Sequence, residues 1–206
     1  MSNSRISTQD DFKKFCYEDN GNKHFTAERY EVSRGYYSIV FDMIKGESDN
    51  INTSLEIGSE EFLCIKNSEV FEGDARVYWK NALTDNGWKK YKHKQFDMVI
   101  ALEVWEHLWN INVTGGDHEN NHPSTVMEIG DVSIQQAAFR EVMRVSKNAI
   151  LSFPYMWGEH NGCPTNNCHY QIDREIIKKW TCGVEPIEIV DAQDNSGIRT
   201  VYRWEF

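Results

Sequence analysis

The stretch Phe96-Asp97-Met98-Val99-Ile100-Ala101-Leu102 most constrains what this chain can fold into. Its nearly continuous apolar character predicts a buried strand, since a half-exposed strand would alternate apolar and polar residues. Ala149-Ile150-Leu151-Ser152-Phe153 repeats the pattern and is expected to stop at Pro154. Between the two, Ile134 to Val145 predicts an amphipathic helix. Ala137, Ala138, Val142 and Val145 face the core there, and Arg140, Glu141 and Arg144 face outward. Strands that alternate with helices in this way imply parallel βαβ units.

The flanking segments extend the pattern. Gln9 to Tyr17 predicts a first helix. Thr26 is placed to cap a second helix with Arg29 to Ile44 as its body and Gly46 as its stop. Ser54-Leu55-Glu56-Ile57 predicts a short strand running into a glycine turn, and Phe62 to Lys66 a brief helix. Val70-Phe71 and Ala75 to Tyr78 are two further strand candidates. Near the end, Asp173 to Trp180 predicts a helix with an acid at its start and Lys178-Lys179 at its close, as the helix dipole prefers. Pro186 to Val190 and Ile198 to Phe206 predict two closing strands around the turn Asp194-Asn195-Ser196-Gly197. The expected fold is a three-layer Rossmann-like α/β sandwich, its mixed and mostly parallel seven-stranded sheet ending in an antiparallel hairpin. One domain is expected over residues 1–206, with 1–50 a helical cap and 51–206 the core; Asn110 to Asp131 is the one sizeable insert.

Charge and cysteine content narrow the function classes. The 206 residues carry 22 Lys and Arg against 32 Asp and Glu, a net charge of −10, which disfavours nucleic acid and anionic membrane surfaces as partners. No apolar run approaches the roughly 20 residues of a spanning helix, and the first residues lack the apolar core of a signal peptide. Five Cys without a regular disulfide pattern suit a reducing compartment, so a cytoplasmic location is expected.

At FDMVIALEVWEHL, residues 96–108, a family resemblance becomes specific. The segment resembles the fourth strand and following turn of class I S-adenosylmethionine-dependent methyltransferases of the type 11-like group, which commonly read FD-x-V-x-x-x-E-V-x-E-H. AFREVMRVSKNAILSFPYMWG resembles that family's next helix and fifth strand, with Ser146-Lys147-Asn148-Ala149 in place of Lys-Pro-Gly-Gly. SLEIGSEEF resembles the glycine-rich first motif, with Glu60 and Phe62 where the second and third glycines stand, and the N-terminal helix resembles the family's cap. The resemblance implies S-adenosylmethionine as cofactor. By the same resemblance, Glu56, Gly58 and Ser59 would meet the methionine end, Glu72 or Asp74 the ribose, and Asn81-Ala82 the adenine, with Leu102 and Glu103 at the end of strand four. Gly58 suits that role on physical grounds, because glycine in a strand-to-helix turn lets backbone approach a ligand closely.

The implied activity is methylation of a small polar acceptor, a sugar or phosphorylated metabolite, with oxygen as the expected methyl acceptor. The alternative is a degenerate methyltransferase fold that binds or scaffolds without catalysis. Methyl transfer to a hydroxyl needs a base, and His107 is the first candidate, since imidazole titrates near neutral pH. His169 and His160, in the stretch after the fifth strand, follow it. Cys163, Cys168 and His169, with Asp117, His118 and His122 of the insert, could together make a zinc site; the expectation from spacing is no metal and free thiols. Oligomeric state is left open, a homodimer included.

Overall fold

A computed structural model describes residues 5–18, 25–59, 62–71, 87–108, 132–163 and 168–206. The strands are β1 (Ser54–Ile57), β2 (Glu69–Val70), β3 (Phe96–Leu102), β4 (Ser146–Tyr155), β5 (Glu188–Asp194) and β6 (Gly197–Glu205). The helices are α1 (Gln9–Tyr17), α2 (Ala27–Ser33), α3 (Tyr36–Gly46), α4 (Ser133–Val145) and α5 (Arg174–Trp180). The strand order is β2-β1-β3-β4-β6-β5. β2, β1, β3 and β4 pair in parallel, whereas β6 runs antiparallel to both β4 and β5. Five strands therefore point one way, with β6 inserted against them. Six strands are described; the seventh expected at Ala75 to Tyr78 lies outside the described residues.

The two faces of the sheet bury separate apolar sets. Leu55, Ile57, Val99, Ala101, Ala149, Leu151 and Phe153 face α4 and α5 through Phe139, Val142, Ile177 and Trp180. Met98, Ile100, Ile150 and Val201 face α1 and α3 through Phe12, Tyr37, Val40 and Phe41. This is the three-layer sandwich expected, with the N-terminal cap forming one outer layer. Burial on both faces is what the unbroken apolar run in β3 encodes.

Several local expectations need correction. The long helix expected over Arg29 to Ile44 is two helices, α2 and α3, separated at Arg34-Gly35. Glycine gives little helical preference at that point, and the break lets Asn195 of the β5–β6 turn donate to the Val32 carbonyl. β4 does not stop at Pro154 but continues to Tyr155, with Pro154 opposite Arg199 of β6. Its β3 neighbour ends at Leu102 opposite Ser152, so beyond that point β4 is paired on one side only, where proline is tolerated. Arg144 turns back from solvent and donates to the Trp88 and Tyr91 carbonyls. The closing hairpin turns at Asn195-Ser196 as expected.

Asp97 pins the amino ends of the three central strands. Its Oδ2 accepts from the Asn52 and Thr53 amides at 2.8 and 3.0 Å, and its Oδ1 meets Lys147 Nζ at 2.8 Å. Desolvation pushes its carboxyl up, but the Lys147 ammonium and these donors outweigh it and hold the pKa at about 2. The folded value lies below the ordinary 3.8, so this stabilisation is present above pH 3.8 and is lost as pH falls through about 2. Asp97→Asn should remove roughly 2 kcal/mol at neutral pH and flatten the acid limb of a plot of unfolding free energy against pH. Urea titrations at several pH values would check both.

Candidate active site at the carboxyl edge of the sheet

β1, β3 and β4 are neighbours, and each leads at its carboxyl end into a residue with left-handed backbone. These are Gly58 at φ 68°, Glu103 at φ 55° and Met156 at φ 55°. Glycine adopts this conformation freely, but Glu and Met do so at a cost of about 1–3 kcal/mol. Strained residues aligned along the ligand-binding edge of an open α/β sheet are a mark of a functional site.

The glycine turn borders a small, partly open cavity of about 10 Å³, roughly room for one water molecule, lined by Tyr37, Glu56, Gly58, Ser59, Phe62 and Leu102, among others. Ser59 Oγ is buried beside it with no hydrogen-bond partner. That hydroxyl is a donor in want of an acceptor. Glu56 behaves differently from expectation. Its two carboxylate oxygens accept from the Cys64 amide at 3.0 Å, the Ile65 amide at 2.8 Å and Ser68 Oγ at 2.9 Å. Burial pushes its pKa up to about 7 against the pull of those donors. The brief helix expected from Phe62 to Lys66 is absent, and an isolated bridge, Ile6 to Ile65, stands there instead. The Glu56 side chain is thus held by two backbone amides and a hydroxyl of the chain itself.

Glu103 does not open toward the cavity either. Its Oε2 lies 3.2 Å from Arg199 Nε, and its Oε1 accepts from Ser152 Oγ at 3.1 Å. Burial raises its carboxyl, and the Arg199 and Arg34 guanidinium groups with Ser152 pull it back. Arg199 also meets Asp194 Oδ2 at 3.0 Å and lies over the Trp157 ring at 4.6 Å. It is a positioning group that sequence reasoning missed. Its only signal was a lone cation in the otherwise apolar and hydroxyl-bearing run Ile198 to Tyr202.

Beyond Glu103 the chain makes a 3-10 turn, Trp105–His107, which presents Glu106 and His107. The stretch after β4 brings back Cys168 and His169. His107 Nε2 and His169 Nε2 face each other at 3.2 Å, and Cys168 Sγ lies 3.5 Å from His107 Nδ1. Both ring nitrogens of His107 therefore meet protein groups, Nε2 at His169 and Nδ1 at Cys168. Glu106 is buried, its Oε1 4.0 Å from His107 Nε2 and 3.8 Å from His169 Nε2, and neither oxygen has a hydrogen-bond partner. Burial and the neighbouring Glu103 charge push its carboxyl well above the usual carboxylate range. His160 is exposed on the turn Glu159–Asn161 and stands apart from this cluster. Cys163 is buried but is not one of the grouped ligand atoms. Glu72, Asp74, Asn81, Ala82, Asp117, His118 and His122 lie outside the described residues.

The fold is an open three-layer α/β sandwich, with the antiparallel β6 inserted in an otherwise parallel sheet and the helical cap packed on one face. No protein-family model matches the chain, and no curated protein matches it. Among solved structures it is similar to magnesium protoporphyrin IX methyltransferase (ChlM) from Synechocystis PCC 6803 with bound S-adenosylhomocysteine. The identity is 10%, covering 94% of this chain and 92% of that one, with a TM-score of 0.49. It is also similar to the N-methyltransferase NodS from Bradyrhizobium japonicum WM9 in complex with S-adenosyl-l-homocysteine, at 9% identity, 95% and 96% coverage and a TM-score of 0.45. A possible exported protein from Bordetella parapertussis is similar at 8% identity, 98% and 81% coverage and a TM-score of 0.45. Among the described residues, no helix is long and apolar enough to cross a membrane.

Removing Arg199 would leave the half-buried Glu103 charge without its nearest cation, at a cost toward the lower end of the about 3–5 kcal/mol typical of a broken buried pair. Arg199→Met should lose roughly that much in chemical denaturation. Adding Glu103→Gln should recover part of the loss, whereas additive losses in the double variant would argue against a coupled pair.

Proposed function

We propose that this chain is an S-adenosylmethionine-dependent methyltransferase acting on a small polar acceptor, with oxygen as the methyl-accepting atom. The observation that carries the reading is the left-handed Gly58 turn at the end of β1, with the unpartnered Ser59 hydroxyl buried beside a cavity. A carboxylate or ammonium at the methionine end of the cofactor would meet Ser59 Oγ and the backbone at Gly58. The sulfonium methyl of the bound cofactor supplies the electrophile; the protein supplies orientation and the exclusion of water. Leu102, at the end of β3, lines the same cavity and would bound the ligand on its sheet side. The acceptor would lie toward the loops after β3 and β4, where Trp157 and the His107–His169 pair offer an aromatic and polar wall.

The cavity admits little more than one water molecule, so its lining must move to admit the cofactor. A second reading, a methyltransferase fold that has lost the cofactor and serves as a binding or scaffold protein, is favoured by one observation. Glu56 has closed the Cys64 and Ile65 amides with its own carboxylate.

Calorimetry with S-adenosylmethionine and S-adenosylhomocysteine separates the two. The first reading expects micromolar binding of both by the wild-type chain. Gly58→Val, which places a β-branched side chain at φ 68°, should abolish it while far-ultraviolet circular dichroism stays native. No heat from either ligand with the folded wild-type protein would leave the scaffold reading standing.

A further inference from the structure

We propose that Glu106, His107, Cys168 and His169 form a binding site for a zinc-class divalent cation, set beside the sheet edge and independent of whether the glycine turn holds a cofactor. The geometry is that of donors gathered about a common centre. The two imidazole Nε2 atoms are 3.2 Å apart. Two nitrogens bound to one tetrahedral zinc at 2.0–2.1 Å would be separated by about 3.3 Å. Cys168 Sγ lies 3.7 Å from His169 Nε2, and one ligand atom from each of His107, Cys168 and His169 falls within 4.8 Å of the others. Glu106 Oε1 closes the group at 4.0 and 3.8 Å from the two Nε2 atoms.

Glu106 supplies the independent reason to place a cation there. Its side chain is 0% exposed, and neither oxygen meets a donor. A buried carboxylate without donors is costly, and protonation does not remove the problem, because the resulting O–H would still lack an acceptor. A histidine pair sharing one hydrogen bond accounts for the 3.2 Å separation but leaves Glu106 unsatisfied. A cation among the four groups satisfies all of them at once.

The donor chemistry selects the ion. Two imidazoles, one thiolate and one carboxylate suit zinc or a similar borderline metal; calcium and magnesium prefer oxygen ligands alone. The architecture is economical in chain: Glu106-His107 follows β3, Cys168-His169 follows β4, and each dipeptide contributes two donors from adjacent strand ends. The candidate set read from spacing, Cys163 with Cys168 and His169, is replaced by one in which His107 and Glu106 take the place of Cys163. The His side chains are 27% and 20% exposed, which leaves a route for the ion from solvent.

The test uses the 206-residue chain without a histidine tag. Elemental analysis of the purified protein should find one equivalent of zinc. After chelation, titration with cobalt(II) should give a tetrahedral visible spectrum and a thiolate-to-cobalt charge-transfer band. Cys168→Ser should keep cobalt binding but lose that band, and His169→Ala or Glu106→Gln should weaken binding at least tenfold. Binding of S-adenosylmethionine, measured separately on the chelated protein, reports on the methyltransferase reading alone. The site is overturned if the folded wild-type chain holds less than a tenth of an equivalent of zinc and gives no tetrahedral cobalt spectrum. A charge-transfer band that survives Cys168→Ser also overturns it. If the variants fail to fold, the wild-type metal content and cobalt spectrum decide the matter by themselves.

Discussion

Arg199 is 4% exposed, and its guanidinium organises the carboxyl edge of the sheet. It comes from β6, pairs with Glu103 just past β3, reaches Asp194 and Ser196 at the hairpin turn, and lies over Trp157 beyond β4. On its other side it faces the Tyr36 ring at the start of α3. One side chain thus joins the central strands, the hairpin and the cap. A guanidinium suits this position better than an ammonium, because its planar fork can serve several acceptors and stack on a ring together. The antiparallel β6 is what makes this possible: its amino-terminal end, not its carboxyl end, meets the edge where β3 and β4 finish.

Much of this fold was legible in the sequence because burial on two faces writes itself into residue order. β3 matches the apolar run Phe96 to Leu102 residue for residue, and α1 matches Gln9 to Tyr17. The N-terminal signals were equally local. Thr8 and Asp11 form a reciprocal capping box, and Asp173 caps α5 through the Ile176 amide. What could not be read was decided by contacts distant in sequence. The break between α2 and α3 depends on the hairpin turn some 160 residues later, which binds the Val32 carbonyl. The missing helix after β1 depends on Glu56 competing for the amides of Cys64 and Ile65.

The site was legible in part, for the same reason. Motif residues after β3 and β4 named His107 and His169, and both lie together at the edge. Their relation to one another, Nε2 against Nε2 across 62 positions of sequence, has no one-dimensional signature. His160 sits in the same aromatic and His-rich stretch as His169 and looked equivalent to it. The turn Glu159–Asn161 instead leaves it exposed, so proximity in sequence did not become proximity in space. Arg199 belonged to no motif at all.

A common problem connects these features. A chain with a net charge of −10 buries two glutamates, Glu56 and Glu106, and half-buries a third, Glu103, along or beside one sheet edge. Each buried carboxylate needs positive compensation or a proton. Glu56 obtains two backbone amides and a hydroxyl, which are dipoles the turn supplies at the expense of a helix. Glu103 obtains a full guanidinium, supplied by the antiparallel strand. Glu106 has neither at bonding distance among the described residues, and Glu103 adds to its difficulty rather than relieving it. Two imidazole nitrogens, 3.2 Å from one another, lie 3.8 and 4.0 Å from its Oε1. The three acids differ in the compensation nearest to each, and Glu106 alone of the three has no hydrogen-bond partner.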